Sequence, residues 1–194
     1  MIAAPVRLPG GHLRGRTVRV AVSILAAALL RAALAPLGDG LSTGVFAAAL
    51  AGIAWLERDL VGGESRWGRG VSVAGGLGLG LLLLAPLAGS APGGRPLGAF
   101  WQWGAIAALV ATLEEVAIRG RLQRRWTQDF GPPVAILAGA AVFALIHLPR
   151  YGASAMPLDF SVGLALGGLR ALSGRVMPGA IAHVIADWGA WFIA

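Results

Sequence analysis

Apolar residues along this chain come in blocks long enough to cross a lipid bilayer, not in the one-face patterns of soluble helices or strands. A spanning helix needs about 20 predominantly apolar residues. Runs at 20–37, 41–56 and 70–87 approach that length, the first broken only by Arg31. A longer helix is predicted to start at Ala99 or Phe100 and to carry Glu114 and Glu115. Gly131-Pro132-Pro133 breaks the chain, because proline cannot continue a preceding helix. A fifth run then reaches His147 and Leu148, a loop is expected at 149–157, and further runs cover 158–172 and 176–194. The pattern predicts an all-α fold, a polytopic transmembrane helical bundle of six to seven spans in one domain. Gly75, Gly76, Gly78 and Gly80 in the third run suit close helix packing in lipid.

Composition agrees with that class. Of 194 residues, 57% are hydrophobic and 13% charged, about half the charged share of a soluble domain, and the mean hydropathy is +0.74. The net charge of +7 comes from sixteen arginines with no lysine. They lie between apolar runs and form no continuous stripe, so topology explains them better than a nucleic-acid partner. The absence of cysteine excludes disulfides, cysteine metal sites and thiol nucleophiles. The Ala, Gly, Leu and Arg bias points to a bacterial source with a GC-rich genome.

The arginines also predict an orientation. They number four in a basic leader at 1–19, three at 57–69, four at 119–125 and two at 170–175, with one or none in the intervening loops. By the positive-inside rule the rich segments, and with them the N-terminus, face the cytoplasm, here beneath a bacterial plasma membrane. The leader and first run resemble a secretory signal with Ala33-Leu34-Ala35 as its cleavage site, but the length of the run and the spans that follow favour an uncleaved first span. Trp55, Trp67, Trp126 and Trp191 fall near predicted span ends, where interface anchors sit.

Three polar clusters interrupt the later runs. An ionisable group at membrane depth is a functional hypothesis by default. Glu115 and Arg119 are four apart with the acid first, the favourable order for a helical ion pair, and read as a structural pair at the site. Glu114 points about 100° away from Glu115 and is left without a local partner. His147 ends the second cluster, Phe143 to His147; taken alone it reads as a hydrogen-bonded core histidine. His183 and Asp187 form the third, sharing a helix face, and a self-satisfied His–Asp pair holding two helices in register is the plain reading.

Depth connects the three. With the fourth helix continuing to about Gln128, Glu114 lies roughly 21 Å back from its end. His147 lies roughly 21 Å along the fifth helix from Pro133, so the hairpin brings them to one height. His183 and Asp187 lie roughly 10 and 16 Å up the last helix from its cytoplasmic end.

Glu-Glu-x-x-x-Arg at 114–119, Phe-x-x-x-His at 143–147 and His-x-x-x-Asp at 183–187, in this order, resemble the CPBP family of CAAX-protease and bacteriocin-processing (Abi) intramembrane proteases, related to the Rce1-type prenyl-protein protease. Gly163 to Gly168, the Gly174-Arg175 turn and Pro178-Gly179 also look like that family's last two helices. The resemblance covers roughly Phe100 to the C-terminus and implies a catalytic helical core at 99–194, preceded by the basic cytoplasmic leader at 1–19 and the N-terminal transmembrane helices at 20–98 that the apolar pattern predicts. It implies hydrolysis of a peptide bond in a membrane-associated or lipidated substrate, with Glu114 and His147 activating a water and His183 and Asp187 polarising the carbonyl and stabilising the oxyanion. Asp187 stands where many relatives have Asn. An ionised Asp cannot donate a hydrogen bond, so it is either protonated or orients His183. Ile118 stands where an aromatic residue often precedes the Arg.

No cofactor is expected. Zinc on Glu114, His147 and His183 is the alternative, because two His and a Glu make a known zinc set, although no His-Glu-x-x-His signature is present. The expected partners are the peptide or lipidated-protein substrate and the bilayer. A second functional class uses the same buried groups without proteolysis, as a proton relay, a partner-binding site or a bacteriocin self-immunity device.

Overall fold

The computed structural model describes residues 11–57, 66–88 and 99–193. Most of the basic leader, the 57–69 loop and the Pro/Gly segment before Ala99 lie outside the described residues. Within them the chain is helical throughout: α1 (Gly11–Leu34), α2 (Asp39–Leu56), α3 (Arg69–Ala88), α4 (Phe100–Glu115), α5 (Gln123–Phe130), α6 (Pro132–Tyr151), α7 (Met156–Ser173) and α8 (Met177–Ile193). Among the described residues four segments are long and apolar enough to cross a membrane, 17–37, 39–56, 132–151 and 153–173, and a shorter apolar helix covers 69–85. The all-helical membrane bundle expected from the pattern is the fold.

α4 does not end at the acidic pair. It runs through a π-helical segment, Val116–Leu122, directly into α5. Gly131, with φ of +85°, closes α5, and Pro132 and Pro133 open α6, whose first-turn N–H groups have no intrahelical acceptor in any case. The break predicted at 131–133 is therefore a tight αα-hairpin. The loop expected at 149–157 is much shorter: α6 continues through Pro149 to Tyr151, and α7 opens at Met156 after a single 3₁₀ turn, Ala153–Ala155.

Small residues set the packing. In α3, a Cβ on Gly76 would come within 2.7 Å of the Pro178 carbonyl and one on Gly80 within 2.8 Å of Ile185, so both glycines let α3 lie against α8. Gly78 meets nothing within 4 Å and faces outward. Gly163 does the same between α7 and α6, where a Cβ would stand 2.8 Å from Ala140 Cα. Without a hydrophobic force between helices in lipid, such close backbone approach is what van der Waals association requires.

α1 belongs to the bundle. Ile24 is fully buried, Ala27 and Ala28 nearly so, and the helix packs on α2 and α6. Thr17 donates to Asp129 at 2.6 Å, tying α1 to α5. Ala33 and Leu34 end α1, and Ala35 opens a 3₁₀ turn, Ala35–Leu37. The tryptophans correct one expectation. Trp55 is exposed at the end of α2, but Trp67 and Trp126 pack against the core. Trp191 is only 8% exposed, its ring 4.9 Å from Trp103 and 5.8 Å from Phe100. Tryptophan at a span end also offers the largest apolar face for helix packing, and here the α4–α8 contact takes it.

Candidate active site

α4, α6 and α8 each bring one polar cluster to a common point. Glu114, on the last turn of α4, is 3% exposed. Its Oε2 lies 3.9 Å from His147 Nε2 on α6 and 3.9 Å from His183 Nε2 on α8. Both distances are too long for a direct hydrogen bond and match the gap that one bridging water fills. Asp187 Oδ1 stands 3.8 Å from His183 Nε2, with its side chain 36% exposed, so it forms the rim of the site. The four residues expected to converge from the depth count do so.

The second carboxylate has two roles where the spacing indicated one. Glu115 is fully buried and accepts from Arg119 Nη1 at 2.6 Å, as the i,i+4 order predicts. Its Oε1 also lies 3.3 Å from His183 Nδ1. His183 thus has a carboxylate at each ring nitrogen. The contact depends on Gly179, where a Cβ would stand 2.7 Å from Glu115 Oε2.

Arg119 and Gln123 fix the far side. Both point from the α4–α5 helix at α7, with Arg119 Nη2 donating to the Gly163 carbonyl at 3.3 Å and Gln123 Nε2 to the Gly167 carbonyl at 2.9 Å. The π-helical segment Val116–Leu122 contains Arg119 and ends just before Gln123, and such bulges occur mostly at functional sites. Local spacing rules gave no signal for it. The positive-inside rule places Arg119 and Arg125 among the cytoplasmic charges, but they are 1% and 6% exposed. Arg125 is paired with Glu57 at the end of α2, so half of that positive segment serves packing.

An aromatic frame orients the imidazoles. Phe143 lies 4.5 Å from the His147 ring, 5.3 Å from the His183 ring and 4.5 Å from the Arg119 guanidinium carbon. Tyr151 stacks on His147 at 5.6 Å. His147 Nδ1 is 2.8 Å from the Phe143 carbonyl. A carbonyl only accepts, so Nδ1 carries the proton and Nε2 presents its lone pair towards Glu114. The hydrogen-bonded core histidine and the site histidine are the same residue.

Among the described residues no group of three or more His, Asp or Glu is arranged to hold a metal ion. A cavity of about 100 Å³ opens beside Glu114 and His147 and is also lined by Arg31 of α1 and by Arg150. The sequence marked Arg31 only as an interruption of an apolar run. Nothing in the spacing along α1 shows that it faces residues more than eighty positions away.

No curated protein and no solved structure matches the chain. The family model described as type II CAAX prenyl endopeptidase Rce1-like matches residues 96–189. That segment contains Glu114, Glu115, Arg119, His147, His183 and Asp187, and the match supports assigning it to the Rce1-like family.

Proposed function

We propose that this protein is an intramembrane endopeptidase that hydrolyses a peptide bond of a membrane-associated or lipidated substrate, using a water activated by Glu114 and His147. The observation that carries the reading is the position of Glu114 Oε2, 3.9 Å from the Nε2 atoms of two histidines on two other helices. A water between Glu114 and His147 meets two acceptors, the carboxylate and the Nε2 lone pair. Donating to both leaves its own lone pair free for the carbonyl carbon. As the C–O bond forms, the water proton passes to Glu114. When the tetrahedral intermediate collapses and the C–N bond breaks, that proton leaves with the amine.

His183 is the oxyanion partner. Both of its ring nitrogens face carboxylates, Glu115 at Nδ1 and Asp187 with Glu114 at Nε2. In that setting both nitrogens serve as donors, and the Nε2 proton is available to a developing oxyanion. Asp187, an ionised carboxylate 3.8 Å from Nε2, then acts on His183 through its charge and is not itself the donor. The scheme needs no metal. Zinc on Glu114, His147 and His183 is the alternative that chelation distinguishes.

The arginine distribution supports an N-terminus in the cytoplasm, and the Ala, Gly, Leu and Arg bias supports a bacterial plasma membrane as the location. The test is cleavage by the full chain in proteoliposomes, with products of membrane-associated peptides mapped by mass spectrometry. Wild type is expected to cut and His147→Ala to cut at a rate lower by about 10²-fold or more. A wild type that cuts no peptide would favour the proton-relay or binding reading of the same cluster.

A further inference from the structure

Of the described side-chain carboxylates, Asp159 alone has no partner at contact distance. Asp39, Glu57, Glu114, Glu115, Asp129 and Asp187 each face an arginine, an imidazole or a hydroxyl. Asp159, on the first turn of α7, makes neither a hydrogen bond nor an ion pair among the described residues, although it is half-buried and its Oδ2 is shut off from solvent. It does not serve the helix end either, because no side-chain hydrogen bond caps α7.

Helix register puts Asp159 beside His147. Gly163 of α7 lies against α6, where a Cβ would stand 2.8 Å from Ala140 Cα. Asp159 is one turn before Gly163 and shares its face. A single 3₁₀ turn, Ala153–Ala155, joins α6 to α7, so the two packed helices run antiparallel. Four residues back along α7 from Gly163 then correspond to four forward along α6 from Ala140, which is the level of Ala144, between Phe143 and His147. Among the site groups, the Asp159 charge acts most strongly on His147, then on Glu114 and His183.

The site's charges balance except for this one. Arg119 offsets Glu115, Asp187 offsets a His183 that carries both ring protons, and Arg31 shares a cavity with Glu114. His147 is neutral in the proposed reaction. Asp159 lies in a segment apolar enough to cross the membrane, and an ionised carboxylate at such depth calls for a counter-charge. A peptide bound at Glu114 and His147 lies within its reach.

We propose that Asp159 is a specificity residue that binds a cationic side chain, Lys or Arg, carried by the substrate close to the scissile bond. This role rests on the peptidase reading of the site. An ammonium or guanidinium group gives Oδ2 the donor it lacks, in a charge-assisted hydrogen bond. Asp159 takes no proton from the attacking water. The substrate class that fits is an otherwise apolar, membrane-associated peptide with a basic residue near the cut.

The experiment uses the full chain in proteoliposomes of zwitterionic lipid, so that cationic peptides gain nothing from the membrane surface. In each peptide found to be cut, every position around the cut is replaced in turn by Lys, norleucine and Glu. At one position Lys is expected to exceed norleucine by about 10- to 100-fold in kcat/KM, mostly through KM, the effect of one hydrogen bond to a charged group. Acetylating that lysine is expected to remove the advantage without any change to the protein, so the test stands even if a variant does not fold. Asp159→Asn is expected to erase the difference between the Lys and norleucine peptides, and Asp159→Lys to favour Glu at the same position. A Lys preference that persists in Asp159→Asn, or no preference at any position, overturns the subsite and leaves the peptidase standing. If Asp159→Asn lowers kcat alike for every peptide and moves the pH profile, Asp159 acts through His147 and the subsite is refuted. Absence of cleavage of any peptide by wild type refutes the peptidase reading, and the subsite with it.

Discussion

Breaking the Glu115–Arg119 pair should cost far more than an ordinary ion pair, and part of the loss should be recoverable. Both side chains are at most 1% exposed and the Nη1–Oε1 contact is 2.6 Å. Glu115→Gln removes the charge and leaves the Arg119 guanidinium with only neutral partners, the Gln and Gly163 carbonyls and the Phe143 ring. Removing one partner of a buried pair costs about 3–5 kcal/mol, a large share of a typical total stability of about 5–15 kcal/mol. Arg119→Met should cost a similar amount, because it leaves the Glu115 carboxylate buried. The double variant carries no buried charge at this point, and replacing a buried pair with neutral groups is often nearly free. It should therefore lie within about 1–2 kcal/mol of wild type, a coupling of several kcal/mol against the roughly 0.5 kcal/mol within which independent sites add. Reversible denaturation in mixed detergent micelles measures all four proteins. Activity should not recover with stability, because Glu115 also stands 3.3 Å from His183 Nδ1. Additive stabilities, or a double variant with full activity, would refute the assignment of two roles to Glu115.

Other substitutions separate packing from chemistry. Gly163→Ala puts a Cβ 2.8 Å from Ala140 Cα and should cost about 1–3 kcal/mol by overpacking, read by the same denaturation. Gly168→Ala meets nothing within 4 Å and should be neutral or stabilising by up to about 1 kcal/mol. Gly179→Ala drives a methyl to 2.7 Å from Glu115 Oε2, so cleavage should fall more than stability does. Activity should survive exhaustive chelation with no stoichiometric zinc in the purified protein, measured by elemental analysis alongside turnover; loss with chelation and rescue by zinc would establish the metal alternative.

The hairpin and its consequences were legible because they depend on rules local to the chain. Gly131-Pro132-Pro133 can only break a helix, and a constant rise per residue then puts Glu114 and His147 at one height. The i,i+4 spacing paired Glu115 with Arg119 for the same reason. What the sequence hid were contacts set by helix rotation. A helix that is apolar on all sides has no moment to say which face turns inward, so nothing marked Arg31 as facing α6, or Trp191 as stacking on α4 in place of lying in the interface. The π-helical segment was hidden too. It contains Arg119 and ends just before Gln123, whose side chains meet the carbonyls of Gly163 and Gly167, and no propensity in Val116–Leu122 encodes it.

The most direct test of water activation by the buried carboxylate is turnover of the Glu114→Gln variant in proteoliposomes on a peptide that wild type cuts. Gln keeps the shape and removes the proton acceptor, so the variant should melt within a few degrees of wild type while turnover falls by about 10²-fold or more. A stably folded Glu114→Gln protein that cuts at the wild-type rate would contradict the mechanism.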